Sequence, residues 1–390
     1  MANERPKDTG VEGRISWTAS NMVLLGDIGN EFEKTLPFDG LRIGVSLHLE
    51  AKTAVLLETL GRGGASIVAA GNHGTTQDDV VEYLNERGID ARGASTDDLH
   101  THLGVVEWVA ATKPDLLLDN GADLVKLILD RGQDVIGGTE ETTSGHMRLT
   151  SEFDGRVRFP VIVINDSPLK AIGENQHAVG QSVYESFCRL TNLMPQGRRF
   201  LVVGYGWCGR GIAHYMRANG AHVSVAEIDE IKAFEAALDG FRVGEVLDLI
   251  GVADVVITAT GTAGVLNEDV LNAIPSGALL ANAGHFPNEI DMTYLQSQTA
   301  ELEHLGESIG RHHLADGRHL DVVTEGRMLN LAGPFPRGNS IESMDLGFAM
   351  QARSLERIAR HHSDLSPGPQ PVPDDINRTL AAAFVKALQD

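Results

Sequence analysis

The segment that most constrains the fold is an apolar run that leads directly into three closely spaced glycines, at residues 199–211 (RFLVVGYGWCGRG). Residues 200–203 have the composition of a buried parallel strand, and Gly204, Gly206 and Gly209 follow in a G-x-G-x-x-G pattern. Such glycines allow a tight turn and let the backbone approach a pyrophosphate at the N-terminus of the next helix. The segment therefore predicts a strand, turn and helix that together bind a dinucleotide.

An acidic residue favours this interpretation over an ordinary glycine-rich turn. A second predicted strand, residues 222–226, leads into Glu227, which lies 23 residues after Gly204. A carboxylate in this place accepts hydrogen bonds from the hydroxyls of an adenosine ribose and repels a 2′-phosphate. We therefore predict that the cofactor is NAD and not NADP.

Composition indicates a globular protein and disfavours several classes of partner. The chain has 390 residues, enough for about two domains, and no apolar run reaches the roughly 18 residues that a membrane helix needs. A net charge of −22 disfavours nucleic acids and anionic membranes as partners. The first residues are polar, and Cys188 and Cys208 provide neither a disulfide framework nor a metal cluster. We expect a cytoplasmic protein with a small-molecule substrate and no metal.

Short apolar strands alternate with helical segments from residue 41 onwards, both before and after the glycine motif. This alternation predicts an α/β fold with two doubly wound parallel-sheet domains, a substrate domain and a Rossmann NAD domain, joined by hinge helices. We expect the substrate domain over residues 1–180, completed by about 345–375. The NAD domain is expected over 181–344, and a short C-terminal helix over 376–390.

Three segments outside this alternation have simpler interpretations. Residues 1–40 are expected to form a helical lead-in, and residues 343–361 a long helix. Residues 366–375 (SPGPQPVPDD) are expected to be a proline-rich connector.

Several polar clusters occur at predicted strand ends, where ligands bind in such sheets. The chain contains, in this order, LHLEAKTAVLLETL, GNHGTTQDD, LLLDNGADL, GGTEETTSG, VINDSPLKAIGEN, GYGWCGRG, EIDEIKA, TATGTAGVL, NAGHFPNEID and TEGRMLNL. Together these motifs resemble the S-adenosylhomocysteine hydrolase family, and the resemblance extends from about residue 40 to 378.

The resemblance implies a reaction in which a nucleoside 5′-thioether is cleaved. The 3′-hydroxyl is oxidised transiently by NAD, which acidifies the 4′ C–H, so that the 5′-thiolate can leave and water can add. The cofactor carries the redox step, and the protein supplies positions and proton transfers.

The resemblance also implies the residues of the site. Lys170 would take the proton of the 3′-hydroxyl, while His48 and Asp119 would exchange protons near the 4′ and 5′ carbons. Glu141 would hold ribose hydroxyls, Glu174 would contact a sugar hydroxyl, and His285 would lie near the cofactor. The implied cofactor-binding residues are Thr142, Thr143, Ser144, Asn175, Gly204, Gly206, Trp207, Cys208, Gly209, Glu227, Lys232, Thr260, Gly284 and Asn330. For residues 142–144, a helix start remains an alternative interpretation.

The chain departs from the family where the family binds the base. Glu50 stands at a neutral hydroxyl position, Lys52 at an acidic base-reading position, and Thr53 completes this base pocket. Because a cationic donor replaces an acceptor, a keto oxygen would suit Lys52 better than the amine of adenine. The chain also has glutamate at position 174, where the family usually has aspartate, and no histidine in residues 331–345.

The C-terminus departs from the family as well. The chain lacks the family's lysine- and tyrosine-bearing tail, which reaches the neighbouring subunit's NAD site. A homo-oligomer is expected, either a dimer or a tetramer.

Three functions remain open at this point. The first is thioether hydrolysis of S-adenosylhomocysteine or of an analogue with another base. The second is an NAD-dependent nucleoside 3′-dehydrogenase or epimerase without thioether cleavage, which would have no need of 5′ acid and base groups such as His48 and Asp119. The third is a non-catalytic NAD-binding regulator.

Overall fold

The structure is a computed structural model that describes residues 10–284, 288–334 and 336–389. The chain forms two compact units. The first unit comprises Met1–Ala171 with Ile341–Asp390, and the second comprises Ile172–Ser340. The domain limits expected from the sequence stay predictions, and each unit is described below by itself.

The described part of the first unit contains a parallel seven-stranded sheet with the strand order β15-β6-β5-β4-β1-β2-β3. Most of its strands are buried along nearly their whole length, as expected of a parallel sheet that is covered on both faces. The strands are β1 (Arg42–Leu47), β2 (Ser66–Gly71), β3 (Asp90–Arg92), β4 (Leu116–Asp119), β5 (Gly137–Glu140), β6 (Pro160–Val163) and β15 (Gly368–Pro371).

Helices cover both faces of this sheet, and each face has its own apolar core. The helices whose side chains join one core are α1 (Gly10–Asn21), α2 (Val23–Thr35), α3 (Ala51–Arg62), α4 (Asp78–Glu86), α14 (Ile341–His361) and α15 (Asp374–Ala387). Those of the other core are α5 (Leu99–Ala111), α6 (Asp123–Arg131) and α7 (Thr143–Thr150). The helical lead-in and the long helix expected from the sequence correspond to α1, α2 and α14.

The proline-rich segment is not only a connector, because it contains strand β15. Gly368–Pro371 pairs in parallel with β6 at the edge of the sheet. An edge strand tolerates proline, since only one of its sides donates hydrogen bonds to the sheet. Proline content concealed this strand in the sequence.

The described part of the second unit contains an eight-stranded sheet with the order β12-β13-β14-β11-β10-β7-β8-β9. Helices again cover both faces with apolar side chains. The strands are β7 (Arg199–Val203), β8 (His222–Ala226), β9 (Arg242–Gly244), β10 (Val255–Thr258), β11 (Leu279–Asn282), β12 (Thr299–His304), β13 (Ile309–Leu314) and β14 (His319–Val323). The helices are α8 (Val179–Thr191), α9 (Trp207–Ala218), α10 (Glu230–Leu238), α11 (Val246–Ile250), α12 (Glu268–Ala273) and α13 (Met292–Gln298).

The predicted α/β class is confirmed, but the second sheet is not wholly parallel. β13 pairs antiparallel with both β12 and β14 and thereby extends one edge of the sheet. Five of the six residues of β12 are exposed, so the segment lacks the apolar run by which a buried strand is recognised. Charged, exposed edge strands of this kind also limit unwanted pairing with other chains.

One buried carboxylate joins helices that are distant in sequence. Asp345 of α14 accepts hydrogen bonds from the backbone N–H groups of Leu24 and Leu25, at 2.8 and 2.9 Å. These groups lie in the first turn of α2, whose N-cap residue Met22 provides no side-chain cap. Burial raises the pKa of Asp345 to about 6.

The raised pKa predicts how the Asp345→Asn variant responds to pH. Ionisation of Asp345 is harder in the folded chain than in the unfolded chain, so its contribution to stability is present at low pH. That contribution is lost as pH rises through about 6. We expect the unfolding free energy of wild type, relative to the variant, to fall by up to about 3 kcal/mol between about pH 4 and pH 7. Denaturant unfolding at both pH values checks this, and a constant difference would contradict it.

Candidate active site

Polar side chains line the carboxyl edge of the first unit's sheet, where the strand order reverses between β1 and β4. His48 follows β1, Asn72 follows β2, Asn120 follows β4 and Glu141 follows β5. Lys170 begins a helical stretch of the π type that extends from Lys170 to Ala178. A reversal point of this kind is where α/β sheets bind their ligands.

We call these strand-end side chains the polar row, and Glu141 lies at its centre. Its Oε2 accepts a hydrogen bond from Asn120 Nδ2 at 3.2 Å, and its Oε1 lies 3.4 Å from Lys170 Nζ. The side chains of Lys170 and Glu141 are only 6% and 9% exposed. A buried lysine beside a buried carboxylate can exchange protons with a sugar hydroxyl and orient a second one. The roles of Lys170 and Glu141 in the reaction stay predictions.

His48 is held by a residue that the sequence interpretation did not identify. Its Nδ1 lies 2.6 Å from Thr75 Oγ1, and Thr53 Oγ1 donates to the His48 carbonyl at 2.6 Å. The contact with Thr75 fixes the orientation of the imidazole ring, and the part of His48 in proton exchange stays a prediction. Thr53 is almost fully buried and fixes the turn into α3, so its side chain supports the backbone of the pocket.

Asp119 does not have the orientation expected of it. Its side chain is fully buried, and its two carboxylate oxygens accept hydrogen bonds from the backbone N–H groups of Asn120 and Val125, at 2.9 and 2.8 Å. Burial, with Glu140 nearby, raises the pKa of Asp119 well above its usual range. Successive residues at a strand end point to opposite sides, so Asn120 takes the place beside Glu141. The acid and base role assigned to Asp119 stays a prediction that this geometry does not favour.

Glu140 joins the loops that carry Asn120 and Glu141. Its carboxylate accepts hydrogen bonds from the N–H groups of Gly121, Ala122 and Thr142 and from the hydroxyl of Thr142, at 2.7–3.0 Å. Burial raises the pKa of Glu140 to about 7. A Cβ on Gly145 would lie 2.1 Å from this carboxyl group, which accounts for the glycine.

The alternative interpretation of residues 142–144 as a helix start is correct for Thr142. This residue is the N-cap of α7, and its Oγ1 accepts a hydrogen bond from Gly145 N at 2.9 Å. Ser144 Oγ lies 3.1 Å from Thr142 Oγ1, and Thr143 is the first residue of the helix. Cofactor contacts by Thr142, Thr143 and Ser144 remain predictions.

Glu50 and Lys52 form an ion pair at the start of α3. Lys52 Nζ lies 3.3 Å from Glu50 Oε1, and the two side chains are 10% and 20% exposed. Glu50 is also the N-cap of α3, where its Oε2 accepts a hydrogen bond from Lys52 N at 3.3 Å. The pair therefore places a donor next to an acceptor in a mostly buried position.

In the second unit, the glycine-rich turn has the backbone of a dinucleotide cradle. Gly204 has a φ of +98°, which favours glycine, and a Cβ on Gly209 would lie 2.0 Å from Gly204 O. A Cβ on Gly206 would meet nothing within 4 Å, so space remains open above the turn. The backbone conformation and the close backbone contact therefore require glycine at positions 204 and 209. Gly206 instead leaves room for a pyrophosphate at the N-terminus of α9.

Glu227 follows β8 and is fixed beside this turn. Its Oε2 accepts a hydrogen bond from Tyr205 N at 2.7 Å, and its Oε1 accepts from Ile228 N and Asp229 N at 2.7 and 2.9 Å. Lys232 lies half-exposed, and its Nζ is 3.7 Å from Asp229 Oδ2. Glu227 is therefore fixed next to the glycine-rich turn, and its binding of an adenosine ribose stays a prediction.

The remaining predicted residues of this unit are distributed over several loops and helices. Trp207 is the first residue of α9, is 43% exposed and stacks on the guanidinium of Arg210, and Cys208 follows it. Asn330 Nδ2 donates to Ser182 Oγ at 3.0 Å, and Asn339 Nδ2 lies 3.5 Å from Glu174 Oε1.

Four further predicted residues belong to this unit. Asn175 lies in the π-type stretch described above. Thr260 and Gly284 follow β10 and β11, where parallel strands present their ligand-binding edge. His285 lies outside the described residues.

Within residues 10–284, 288–334 and 336–389, no helix combines the length and apolar character needed to cross a bilayer. In the same ranges, no group of three or more histidine, cysteine, aspartate or glutamate side chains suits a metal ion.

Comparison with known proteins agrees with this architecture. Residues 7–135 match the profile of S-adenosyl-L-homocysteine hydrolase, and residues 175–334 match that of the S-adenosyl-L-homocysteine hydrolase NAD binding domain. The chain belongs to the S-adenosyl-L-homocysteine hydrolase family. The resemblance deduced from the motifs is thereby confirmed, as is NAD as the cofactor of the second unit.

Relatives within the S-adenosyl-L-homocysteine hydrolase family carry two different names. The S-inosyl-L-homocysteine hydrolase of Methanopyrus kandleri is 40% identical over 384 residues, covering 96% of this chain and 89% of that protein. The adenosylhomocysteinase of Thermococcus kodakarensis is 40% identical over 376 residues, covering 95% and 89%. The S-inosyl-L-homocysteine hydrolase of Methanocaldococcus jannaschii is 37% identical over 386 residues, covering 97% and 92%.

Within this family framework, the structure adds residues that the motifs did not single out. Asn120 and Thr75 contact the predicted catalytic residues Glu141 and His48. Glu140 contacts the predicted cofactor-binding residue Thr142, and Glu289 contacts Thr260 in the second unit. All four lie within the quoted motifs. Asn120 directly follows β4, and this position at a strand end is the signal that could have identified it.

Proposed function

We propose that this chain hydrolyses the thioether of a nucleoside–homocysteine conjugate whose base is a 6-oxopurine, with S-inosyl-L-homocysteine as the substrate. The observation that carries this proposal is the buried Glu50–Lys52 pair at the predicted base pocket. Relatives named for the inosyl and for the adenosyl substrate are equally similar to this chain, so sequence identity alone does not choose between the bases.

The chemistry of the pair favours the oxopurine. The six-membered ring of hypoxanthine presents a carbonyl acceptor next to an N1–H donor, which matches an ammonium next to a carboxylate. In adenine, an amine donor stands where hypoxanthine has the carbonyl. By the family resemblance, an acid at the position of Lys52 would accept from that amine, whereas the ammonium of Lys52 can only donate. A site built to donate to a carbonyl rejects the amine analogue, because the ammonium would then face another donor on the base instead of an acceptor.

The ribose-handling groups lie along the row described above. NAD, when bound, supplies a hydride acceptor for the 3′ carbon and returns the hydride at the end of the reaction. The neutral amine of Lys170 accepts the proton of the 3′-hydroxyl and becomes an ammonium. The carboxylate of Glu141, which Asn120 fixes, holds the ribose hydroxyls. Negative charge that develops on the oxidised sugar is stabilised by the ammonium of Lys170.

Proton transfer at the 5′ end is assigned to His48. Thr75 holds Nδ1 of the ring, so that Nε2 can protonate the departing thiolate and later accept a proton from the incoming water. Asn120 cannot exchange protons, and the oxygens of Asp119 are occupied by backbone N–H groups. We therefore assign acid and base catalysis at the 5′ carbon to His48.

The experiment compares thiol release from two substrates that differ only in the base. Purified protein is supplied with NAD and with either S-inosyl-L-homocysteine or S-adenosyl-L-homocysteine, and homocysteine is measured with a thiol reagent. We expect kcat/KM to be at least about 100-fold higher for the inosyl substrate. Equal values, or a preference for the adenosyl substrate, would contradict the proposed base. Nucleoside oxidation without any thiol would support a dehydrogenase instead.

We also propose that the protein is a cytoplasmic homo-oligomer. Four apolar side chains are exposed on helix α10 or just before its start. They are Ile228, Ile231, Phe234 and Leu238, which are between 61% and 93% exposed. Their spacing is close to helical periodicity, and an exposed apolar face of this extent is typical of a subunit contact. Light scattering of the purified chain tests this, with a dimer or tetramer expected and a monomer as the contradicting result.

A further inference from the structure

A buried glutamate in the second unit contacts the loop that follows β10. Glu289 is fully buried. Its Oε2 accepts hydrogen bonds from Thr260 N at 3.0 Å and from Thr260 Oγ1 at 2.8 Å, and its Oε1 accepts from Gly261 N at 2.6 Å. One carboxylate thus fixes both the backbone and the side chain of a predicted cofactor contact.

The same carboxylate defines the path of the loop that follows β11. A Cβ on Gly284 would lie 1.6 Å from Glu289 Oε1, so the carboxylate occupies the space that any larger residue would need. Backbone hydrogen bonds add to this connection, since Leu266 N donates to Glu289 O and Gly264 N donates to Asn288 O. The two loops are therefore joined along several residues.

The loop after β10 in turn abuts the glycine-rich turn after β7. A Cβ on Gly204 would lie 2.9 Å from Ala259 O and 3.1 Å from Thr260 Cγ2. Strands β11, β10 and β7 are neighbours in the sheet, so these three loops emerge side by side. A shift of Thr260 would therefore be transmitted to Gly204, and a shift of Glu289 would be transmitted to both Thr260 and Gly284.

We propose that Glu289 is a positioning residue that fixes the three loops predicted to bind NAD in their binding geometry. It acts through Thr260, Gly261 and Gly284 and has no direct part in the reaction. A ligand site whose polar groups are held in place before binding loses less entropy on binding, which is why such support affects affinity. This inference rests on the NAD binding domain of the family and is independent of the identity of the base.

Glutamine at position 289 is the diagnostic change because it keeps the shape of the side chain. It replaces one acceptor oxygen by an NH₂ donor, which would face the N–H groups of Thr260 or Gly261. We expect Glu289→Gln to weaken NAD binding about 10- to 100-fold in calorimetric titration of the apo protein. Glu303→Gln is the matched control, since Glu303 is an exposed residue of β12 whose partner is His313. It should leave the affinity unchanged.

A second pair of variants separates positioning from general stability. Thr260→Val removes the hydroxyl that donates to Glu289, whereas Thr260→Ser retains it. We expect the valine variant to bind NAD at least about fivefold more weakly than the serine variant. The combination of Glu289→Gln with Thr260→Val should cost clearly less affinity than the product of the single effects, because both changes remove the same contact.

Several outcomes would overturn the inference. An affinity of folded Glu289→Gln within twofold of wild type would do so, as would an equal loss in the Glu303→Gln control. If Glu289→Gln does not fold, equal affinities of the two Thr260 variants would overturn it. Fully independent effects in the double variant would contradict the route through Thr260. No nucleoside is present in these titrations, so failure here is distinguishable from failure of the proposed substrate.

Discussion

Replacing Lys170 by alanine should lower the rate of nucleoside oxidation by about 10³-fold or more. Lys170 Nζ is buried in the row of polar groups, 3.4 Å from the Glu141 carboxylate, and the proposed mechanism lets its neutral amine take the proton of the 3′-hydroxyl. Without it, no group in that position accepts the proton as the hydride departs. The measurement is the rise of NADH absorbance after NAD-loaded protein is mixed with S-inosyl-L-homocysteine.

The control for this variant is another lysine of the same unit. Lys126 lies on α6, is 43% exposed and pairs with Asp130 four residues later. Lys126→Ala should retain the wild-type rate, because exposed pairs of this type contribute little. Since Lys170→Ala leaves Glu141 with an uncompensated buried charge, Lys170→Gln is measured as well, and it should be equally inactive. Unchanged NADH formation in both Lys170 variants would remove this residue from the mechanism.

The second large effect is expected at the base pocket. Lys52→Glu should reduce the ratio of kcat/KM for the inosyl substrate over the adenosyl substrate by about 100-fold or more, because an acceptor then faces the base where a donor stood. The companion variant Lys52→Met removes the donor without adding an acceptor. It should lose the preference for the oxopurine without gaining one for adenine.

The control for the charge change is Lys34→Glu. Lys34 lies in the last turn of α2 and is exposed. It should leave the substrate ratio as in wild type, since exposed charges are screened by solvent and salt. A substrate ratio that is unaltered in both Lys52 variants would show that the base is bound by other residues.

The sequence predicted the class of the fold because its strongest signals are those of buried parallel strands. Runs such as residues 200–203 are apolar on both faces. At Gly204 and Gly209, which follow this run, a Cβ would come too close to backbone carbonyl oxygens. Strands without such runs were missed. β15 contains prolines, and β12 is exposed along almost its whole length.

Within the candidate site, the sequence identified the residue types more securely than their directions. Glu141, Lys170 and His48 have polar neighbours, and their roles stay predictions. Asp119 points into the protein, and Asn120 lies beside Glu141. A motif does not indicate which of two adjacent strand-end residues faces the ligand, because a shift of one residue reverses the side. The buried acids Glu140 and Glu289 were missed for a related reason. Most of their hydrogen-bond donors are backbone N–H groups, which no side-chain pattern reveals.

The measurement that tests the account most directly follows two signals in one reaction. NAD-loaded protein is mixed with S-inosyl-L-homocysteine, and NADH absorbance and free homocysteine are recorded over a single turnover. We predict that NADH rises and then decays while one thiol is released per active site. No NADH signal, or NADH that persists while no thiol appears, would contradict the assignment of this chain as a thioether hydrolase that works through transient oxidation of the sugar.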